Sequence, residues 1–240
     1  MVVSYPDVMQ LTTITKMKKH PDYKNAKSGD VSSSYRLVRD LLSGKNQIQK
    51  INYIAENFQN AILLGVYASE QMGKNKIPHA LVAIIGEMTG LETEARIVQS
   101  NEVGHTGSDA IHRLAYRAKF TGDVKQGRNY ILTDDVITSG STLSELRCYI
   151  EDNGGRVVLF LTAGAAQFST NIKLSDETRF KLIDKYGILE IQKLLKELDI
   201  YGGAFEFLTE SEGRTLLGAG TTIDTARNRI IEARISGRYK

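Results

Sequence analysis

Apolar positions are spaced in two different ways along this chain, and the alternation between them predicts its fold class. The first thirty residues mix polar and apolar positions without a clear period. Helical spacing then begins with Val31, Val38, Leu41 and Leu42, opened by Asp30, a residue suited to accept from free N–H groups, and closed at Gly44. Ile48, Ile51, Ala55 and Phe58 repeat the spacing and predict a second helix. At 61–67 (AILLGVY) the pattern becomes a short unbroken apolar run, as expected of a strand covered on both faces. After a polar loop at 68–75, Leu81, Ile84, Ile85 and Met88 form the buried stripe of a helix that Asn75 is expected to cap. Pro78 falls in its first turn, where proline is tolerated. Gly90 ends this helix, and 95–98 is expected as the next strand. Strand, loop, helix, strand in that order implies a right-handed parallel crossover.

The second half repeats the logic. Residues 100–128 are polar and contain Gly104, Gly107, Gly122 and Gly127, with helical potential within 110–118. A stretch of this kind in a compact domain is more often functional than idle. Residues 130–133 (YILT) read as a strand ending in Asp134 and Asp135. A glycine-containing turn leads into a helix carrying Leu143, Leu146 and Ile150, which Gly154 and Gly155 stop, and 157–162 (VVLFLT) is another buried strand. Beyond 170 the period is helical. Ile191, Leu194, Leu195 and Leu198 make one stripe, and Ile223, Ala226, Ile230 and Ala233 make another. Thr209 and Glu212 form a capping-box pattern before Leu216 and Leu217. The expectation is an α/β protein: a Rossmann-like parallel sheet flanked by helices at 61–169, a helical N-terminal segment at 1–60, and an accessory helical region at 170–240.

Composition narrows the function classes. A chain of 240 residues is long enough for one large α/β domain with an accessory part. The net charge of +3 is too small to argue for nucleic acid and suits an anionic small substrate. Arg227, Arg229, Arg234, Arg238 and Lys240 do gather in the tail, where a solvated helix face or subunit contact competes with a phosphate-contacting helix. The single cysteine, Cys148, excludes an intrachain disulfide and fits a reducing, cytoplasmic setting; its place in a helix predicts a packing role. The apolar run 60–68 is too short to span a bilayer, so no membrane association is expected. His20, His79, His105 and His112 lack zinc-site spacing. Neither a Gly-x-x-x-x-Gly-Lys-Ser/Thr loop nor a Gly-x-Ser-x-Gly elbow occurs.

The candidate chemistry lies at 131–143 (ILTDDVITSGSTL). Ligands of open parallel sheets sit beyond the carboxyl ends of the strands. Here a strand leads to two carboxylates, then to a loop of small residues opening a helix. Free N–H groups at such a helix start favour a phosphate, and Gly140 allows close backbone approach. Thr138, Ser139, Ser141 and Thr142 add hydroxyl donors. Asp134 and Asp135 cannot usefully face a phosphate but can accept from sugar hydroxyls beside it. The competing reading is a solvated strand end followed by an ordinary helix cap.

This segment resembles the phosphoribosyl-diphosphate signature of the type I phosphoribosyltransferases: an apolar strand, two acids, an aliphatic pair and a Thr/Ser-Gly-x-Thr turn. The resemblance implies the type I phosphoribosyltransferase fold and transfer of a phosphoribosyl group from 5-phosphoribosyl 1-diphosphate to a nitrogenous base. It implies Asp134 and Asp135 on the ribose hydroxyls and at the centre of catalysis, Thr138, Ser139, Gly140, Ser141 and Thr142 on the 5-phosphate, and Mg2+ reached by the acids indirectly. A diphosphate-gripping loop is implied at 69–75, with Gly73 and Lys74 as contacts. This loop lacks the paired glycines usual in relatives, and an ordinary polar turn is the competing reading. A loop closing over the reacting centre is implied at 101–119, where His105, Arg113, Arg117 and Lys119 would neutralise diphosphate. Tyr23, Tyr35, Phe168 and Tyr201 are aromatic candidates for stacking on a base. HPDYKNAKSGD, IVQSNEVGHTG and FLTESEGRTLL are similar to segments of a subgroup associated with mobile genetic elements. Relatives commonly form homodimers. Related regulators keep the same loop without catalysis, so a phosphoribosyl-compound sensor, with or without nucleic acid, is the alternative.

Overall fold

The computed structural model describes residues 5–67, 75–101, 110–165 and 172–236. The chain forms two compact units. The first comprises Met1–Glu102, Lys119–Thr138 and Tyr149–Thr170; the second comprises Val103–Ala118, Ser139–Cys148 and Asn171–Lys240.

The first unit is built on a five-stranded sheet of β1 (Asp7–Gln10), β2 (Ala61–Gly65), β3 (Glu92–Glu94), β6 (Asn129–Ile137) and β7 (Arg156–Ala165), in the order β1-β7-β6-β2-β3. Every pairing in it is parallel. A two-stranded antiparallel pair, β4 (Val98–Gln99) with β5 (Phe120–Thr121), accompanies it. The central strands bury Ile62, Leu63, Leu64, Ile131 and Leu132 completely, and for that reason they read as unbroken apolar runs. α3 (Val31–Leu42) starts where the Asp30 carboxylate accepts from the Ser33 N–H at 2.6 Å, and it buries Leu37, Val38, Leu41 and Leu42. α4 is Lys45–Asn57 and α5 is Ile77–Thr89. α5 ends at Gly90, whose φ of 72° is open to glycine at little cost.

Several expectations are corrected here. The first thirty residues hold β1, α1 (Ile14–Lys19) and α2 (Tyr23–Lys27). β1 is a short, partly exposed edge strand, so burial imposes no apolar pattern on it. The strand expected at 95–98 lies earlier, at Glu92–Glu94. The chain turns there because the Glu94 carboxylate accepts the N–H groups of Ala95 at 2.9 Å and Arg96 at 2.8 Å. The cap of α5 is Lys76, although the Asn75 side chain still accepts from the Ile77 N–H at 3.2 Å. Val31, Ile48 and Met88, placed on buried stripes by their spacing, are 53%, 41% and 45% exposed. Ile48 and Met88 line an open groove with Leu42 and Ile84.

The second unit contains α6 (Ala110–Ala115), α7 (Ser141–Asp152) as far as Cys148, α8 (Asp176–Tyr186), α9 (Ile188–Glu197), α10 (Glu210–Ala219) and α11 (Ile223–Ser236). Its core gathers Leu114, Cys148, Leu182, Ile191, Leu194, Leu195, Leu216, Ala226 and Ile230. The Thr209–Glu212 capping box forms at the start of α10. Below it lies a buried ionic cluster. Arg117 donates to Glu145 at 2.6 Å and also to Glu212, while the Tyr201 hydroxyl stands 2.9 and 3.0 Å from the two Glu212 oxygens. The Arg117 guanidinium rests 4.4 Å above the Tyr201 ring. Three of the tail arginines have structural partners: Arg227 pairs with Glu197 and Asp224, Arg229 donates to the Ala219 carbonyl, and Arg234 to those of Ala115 and Leu198, while Arg238 and Lys240 lie outside the described residues. No described helix is long and apolar enough to cross a membrane.

Candidate functional site

Strand order selects one place on the first unit's sheet. From β2 the chain passes through α5 to β3 on one side, whereas β6 pairs with the other side of β2 and is followed by β7 further out. The connections leaving the carboxyl ends of β2 and β6 therefore run in opposite directions. Such a reversal is the general ligand position of open parallel sheets.

β6 brings the acidic pair to this point and differs from the expected strand. It does not stop before Asp134 but continues through Ile137, because β7 also extends, pairing Asp134 with Thr162, Val136 with Gly164 and Ile137 with Ala165. Asp134 and Asp135 are thus strand residues. Asp134 is half-buried and accepts the Asp135 N–H at 2.8 Å. Loss of solvent, followed by repulsion from Asp135, pushes the Asp134 carboxyl well above the ordinary carboxylate range, against the pull of Lys27. Asp135 is buried and accepts from the Lys27 ammonium at 2.6 Å. One residue earlier, the fully buried Thr133 hydroxyl has no hydrogen-bond partner among the described residues, a cost that folds rarely carry without a reason.

In the second unit the segment continues as a turn into α7. Ser139 and Gly140 precede the helix, which starts at Ser141 and has no acidic residue in its first turn. The Ser139 and Ser141 hydroxyls lie 3.0 Å apart. Ser141 is buried, Ser139 and Thr142 are half-buried, and Thr138, the last residue of the first unit's portion, is exposed. Gly140 adopts a φ of 77°, and a Cβ there would meet Ile172 Cγ2 at 2.7 Å. Gly140→Ala is therefore expected to destabilise the protein by about 1–3 kcal/mol through backbone strain and the clash with Ile172. Urea unfolding measures this, and a variant as stable as the parent would mean that the turn does not need its glycine.

The remaining candidates divide. Gly73, Lys74 and His105, with the aromatic Phe168, lie outside the described residues. Arg113 is on α6 of the second unit and half-buried. Arg117, expected to neutralise diphosphate, is instead buried between Glu145 and Glu212. Tyr201, a candidate for base stacking, is a core residue of the same cluster. Tyr23 and Tyr35 keep partial exposure on α2 and α3, and Lys119 is exposed. Spacing gave no signal for Lys27, because its partner Asp135 is 108 positions away.

Among the described residues, no group of three His, Cys, Asp or Glu side chains is placed to hold a metal ion. The acids do not suit direct ligation. Asp135 is already met by an ammonium, and Asp134 tends to keep its proton.

No protein-family model matches the chain. It is 32% identical over 230 residues to Protein TraN of Escherichia coli, an alignment covering 96% of this chain and 50% of that protein. It is 35% identical over 146 residues to an uncharacterized protein of Haemophilus influenzae, covering 61% of this chain and 32% of that one. The chain thus spans about half the length of the first relative and a third of the second. Among solved structures, it is similar to an adenine phosphoribosyltransferase at 13% identity with a TM-score of 0.36, covering 53% of this chain and 74% of that one. It is also similar to orotate phosphoribosyltransferase from Aeropyrum pernix at 18% identity with a TM-score of 0.35, covering 59% of this chain and 64% of that one.

Proposed function

We propose that the chain binds 5-phosphoribosyl 1-diphosphate and transfers its phosphoribosyl group to a nitrogen of a base, releasing diphosphate. The observation that carries this reading is the acidic pair in the carboxyl-terminal half of β6, beside the reversal of strand order, followed in sequence by a glycine turn of hydroxyl residues and a helix start. Asp134 and Asp135 accept hydrogen bonds from the ribose 2- and 3-hydroxyls. Thr138, Ser139, Gly140, Ser141 and Thr142 surround the 5-phosphate with hydroxyl and N–H donors. Gly73, Lys74, His105 and Arg113 are assigned to the diphosphate.

In the reaction, the bond from ribose C1 to the diphosphate oxygen breaks as a bond from C1 to the base nitrogen forms. Positive charge develops on the ribose, and the Asp135 carboxylate near its hydroxyls offsets it in a site that excludes water. Diphosphate brings Mg2+ with it. Asp134 and Asp135 would face such an ion indirectly, not as ligands, because their carboxyl groups are otherwise engaged. A homodimeric, cytoplasmic protein associated with mobile genetic elements is the setting this reading favours.

The test is a melting-temperature and turnover screen with 5-phosphoribosyl 1-diphosphate, Mg2+ and a panel of bases. Ligand at a hundred times its Kd adds about 2.7 kcal/mol of stability by mass action, a clear upward shift. Release of diphosphate with one base completes the assignment. Binding without turnover for any base moves the protein to the alternative, a non-catalytic sensor of phosphoribosyl compounds. No response to the sugar phosphate discards both.

A further inference from the structure

Lys27 closes α2 in the N-terminal segment, and its ammonium donates to Asp135 Oδ2 at 2.6 Å. The Asp135 side chain is 7% exposed and the Lys27 side chain 39% exposed, so the pair joins a buried carboxylate to a lysine that still reaches solvent. Burial alone lowers the lysine's proton affinity, but attraction to Asp135, with smaller contributions from Tyr23 and Asp134, raises it above the ordinary value, so the group stays charged. A divalent cation ligated by this carboxylate would need an oxygen lone pair at about 2.0–2.6 Å. On Oδ2 the ammonium occupies that position.

We infer that Lys27 is a tethered cation holding the place on Asp135 that a divalent metal would otherwise take, so that the acidic pair of the free protein binds no metal. The inference rests on reading the pair as the ribose-hydroxyl contact of the proposed site. Lys27 is then a positioning residue. It holds the Asp135 carboxylate aimed, and metal enters only as the complex carried by the diphosphate. A flexible four-carbon stem suits this role, since an ammonium is a compact charge that can follow the carboxylate when a sugar docks.

Mn2+ binding to the full chain, read by electron paramagnetic resonance without any sugar phosphate, tests the inference. Wild type and Lys27→Arg, which keeps the charge, are expected to leave the ion free. Lys27→Met is expected to bind it at least about tenfold more tightly, the scale of removing one nearby repelling charge. Adding Asp135→Asn to Lys27→Met should remove that gain. Equal Mn2+ affinity in wild type and Lys27→Met overturns the inference. So does tight Mn2+ binding by wild type that Asp135→Asn abolishes, a comparison that holds even if Lys27→Met does not fold. A parallel titration with ribose 5-phosphate in EDTA keeps the two ideas apart. Absence of a thermal shift there counts against the phosphoribosyl reading, while the Mn2+ comparison still decides the role of Lys27.

Discussion

Replacing Arg117 by Met is expected to destabilise the protein by about 3–5 kcal/mol, the usual cost of removing one partner from a buried ionic cluster. Arg117 is buried, as is Glu212, and Glu145 is nearly so. Without the guanidinium, two carboxylates and the Tyr201 hydroxyl would be left together in a low-dielectric interior. The deficit should also depend on pH. Desolvation raises the Glu145 carboxyl to about 7, and Arg117 is the main influence opposing it. Because this folded-state value is above the unfolded one, the folded state holds more protons, and stability from this group falls as pH rises from about 4.5 through about 7. Loss of Arg117 moves the folded value higher and extends the fall, so the deficit of Arg117→Met grows between pH 5 and pH 8. Urea unfolding at the two pH values measures it. A deficit below about 1 kcal/mol at both would mean that the cluster contributes no net stability.

The same cluster illustrates what the residue pattern could and could not convey. Arg117, Glu145, Tyr201 and Glu212 meet only in three dimensions, and nothing local distinguishes Arg117 from the cations around it. Lys27 and Asp135 are a second case: both are ordinary charged residues until the fold brings them together. By contrast, β2 and β7 were legible because burial on both faces demands apolar residues throughout, and α3 and α10 because their caps are local chemistry at a set spacing. β1 gave no signal because an edge strand with partial exposure accepts almost any residue. The extension of β6 through Asp134 and Asp135 was hidden for another reason: a strand kept by backbone pairing to β7 can carry acids that no propensity would place there. That departure from local preference is itself informative, since disagreement between residue type and structure concentrates where function is built.

Asp134→Asn should separate stability from binding. In wild type the Asp134 carboxyl is pushed well above its ordinary range by desolvation and by Asp135. The folded state therefore binds a proton that the unfolded state releases, and stability from this residue is lost as pH rises above about 4 through the folded-state value. An asparagine carries no charge to desolvate. The variant is thus expected to match or exceed wild type in unfolding free energy at pH 8, with a weaker decline between pH 5 and pH 8. Its affinity for a phosphoribosyl compound should move the other way. The protonated carboxyl still accepts from a sugar hydroxyl, and a neutral hydrogen bond contributes about 0.5–1.5 kcal/mol, so its loss weakens Kd by roughly two- to tenfold. Asp135→Asn is expected to lose at least as much affinity without the gain in stability, because it also removes the partner of Lys27. Unfolding curves and ligand titrations on the two variants give four numbers. A rise in stability with undiminished affinity in Asp134→Asn would take the acidic pair out of the binding site. A residue that costs the free protein stability and contributes nothing to a ligand has no reason to sit within β6.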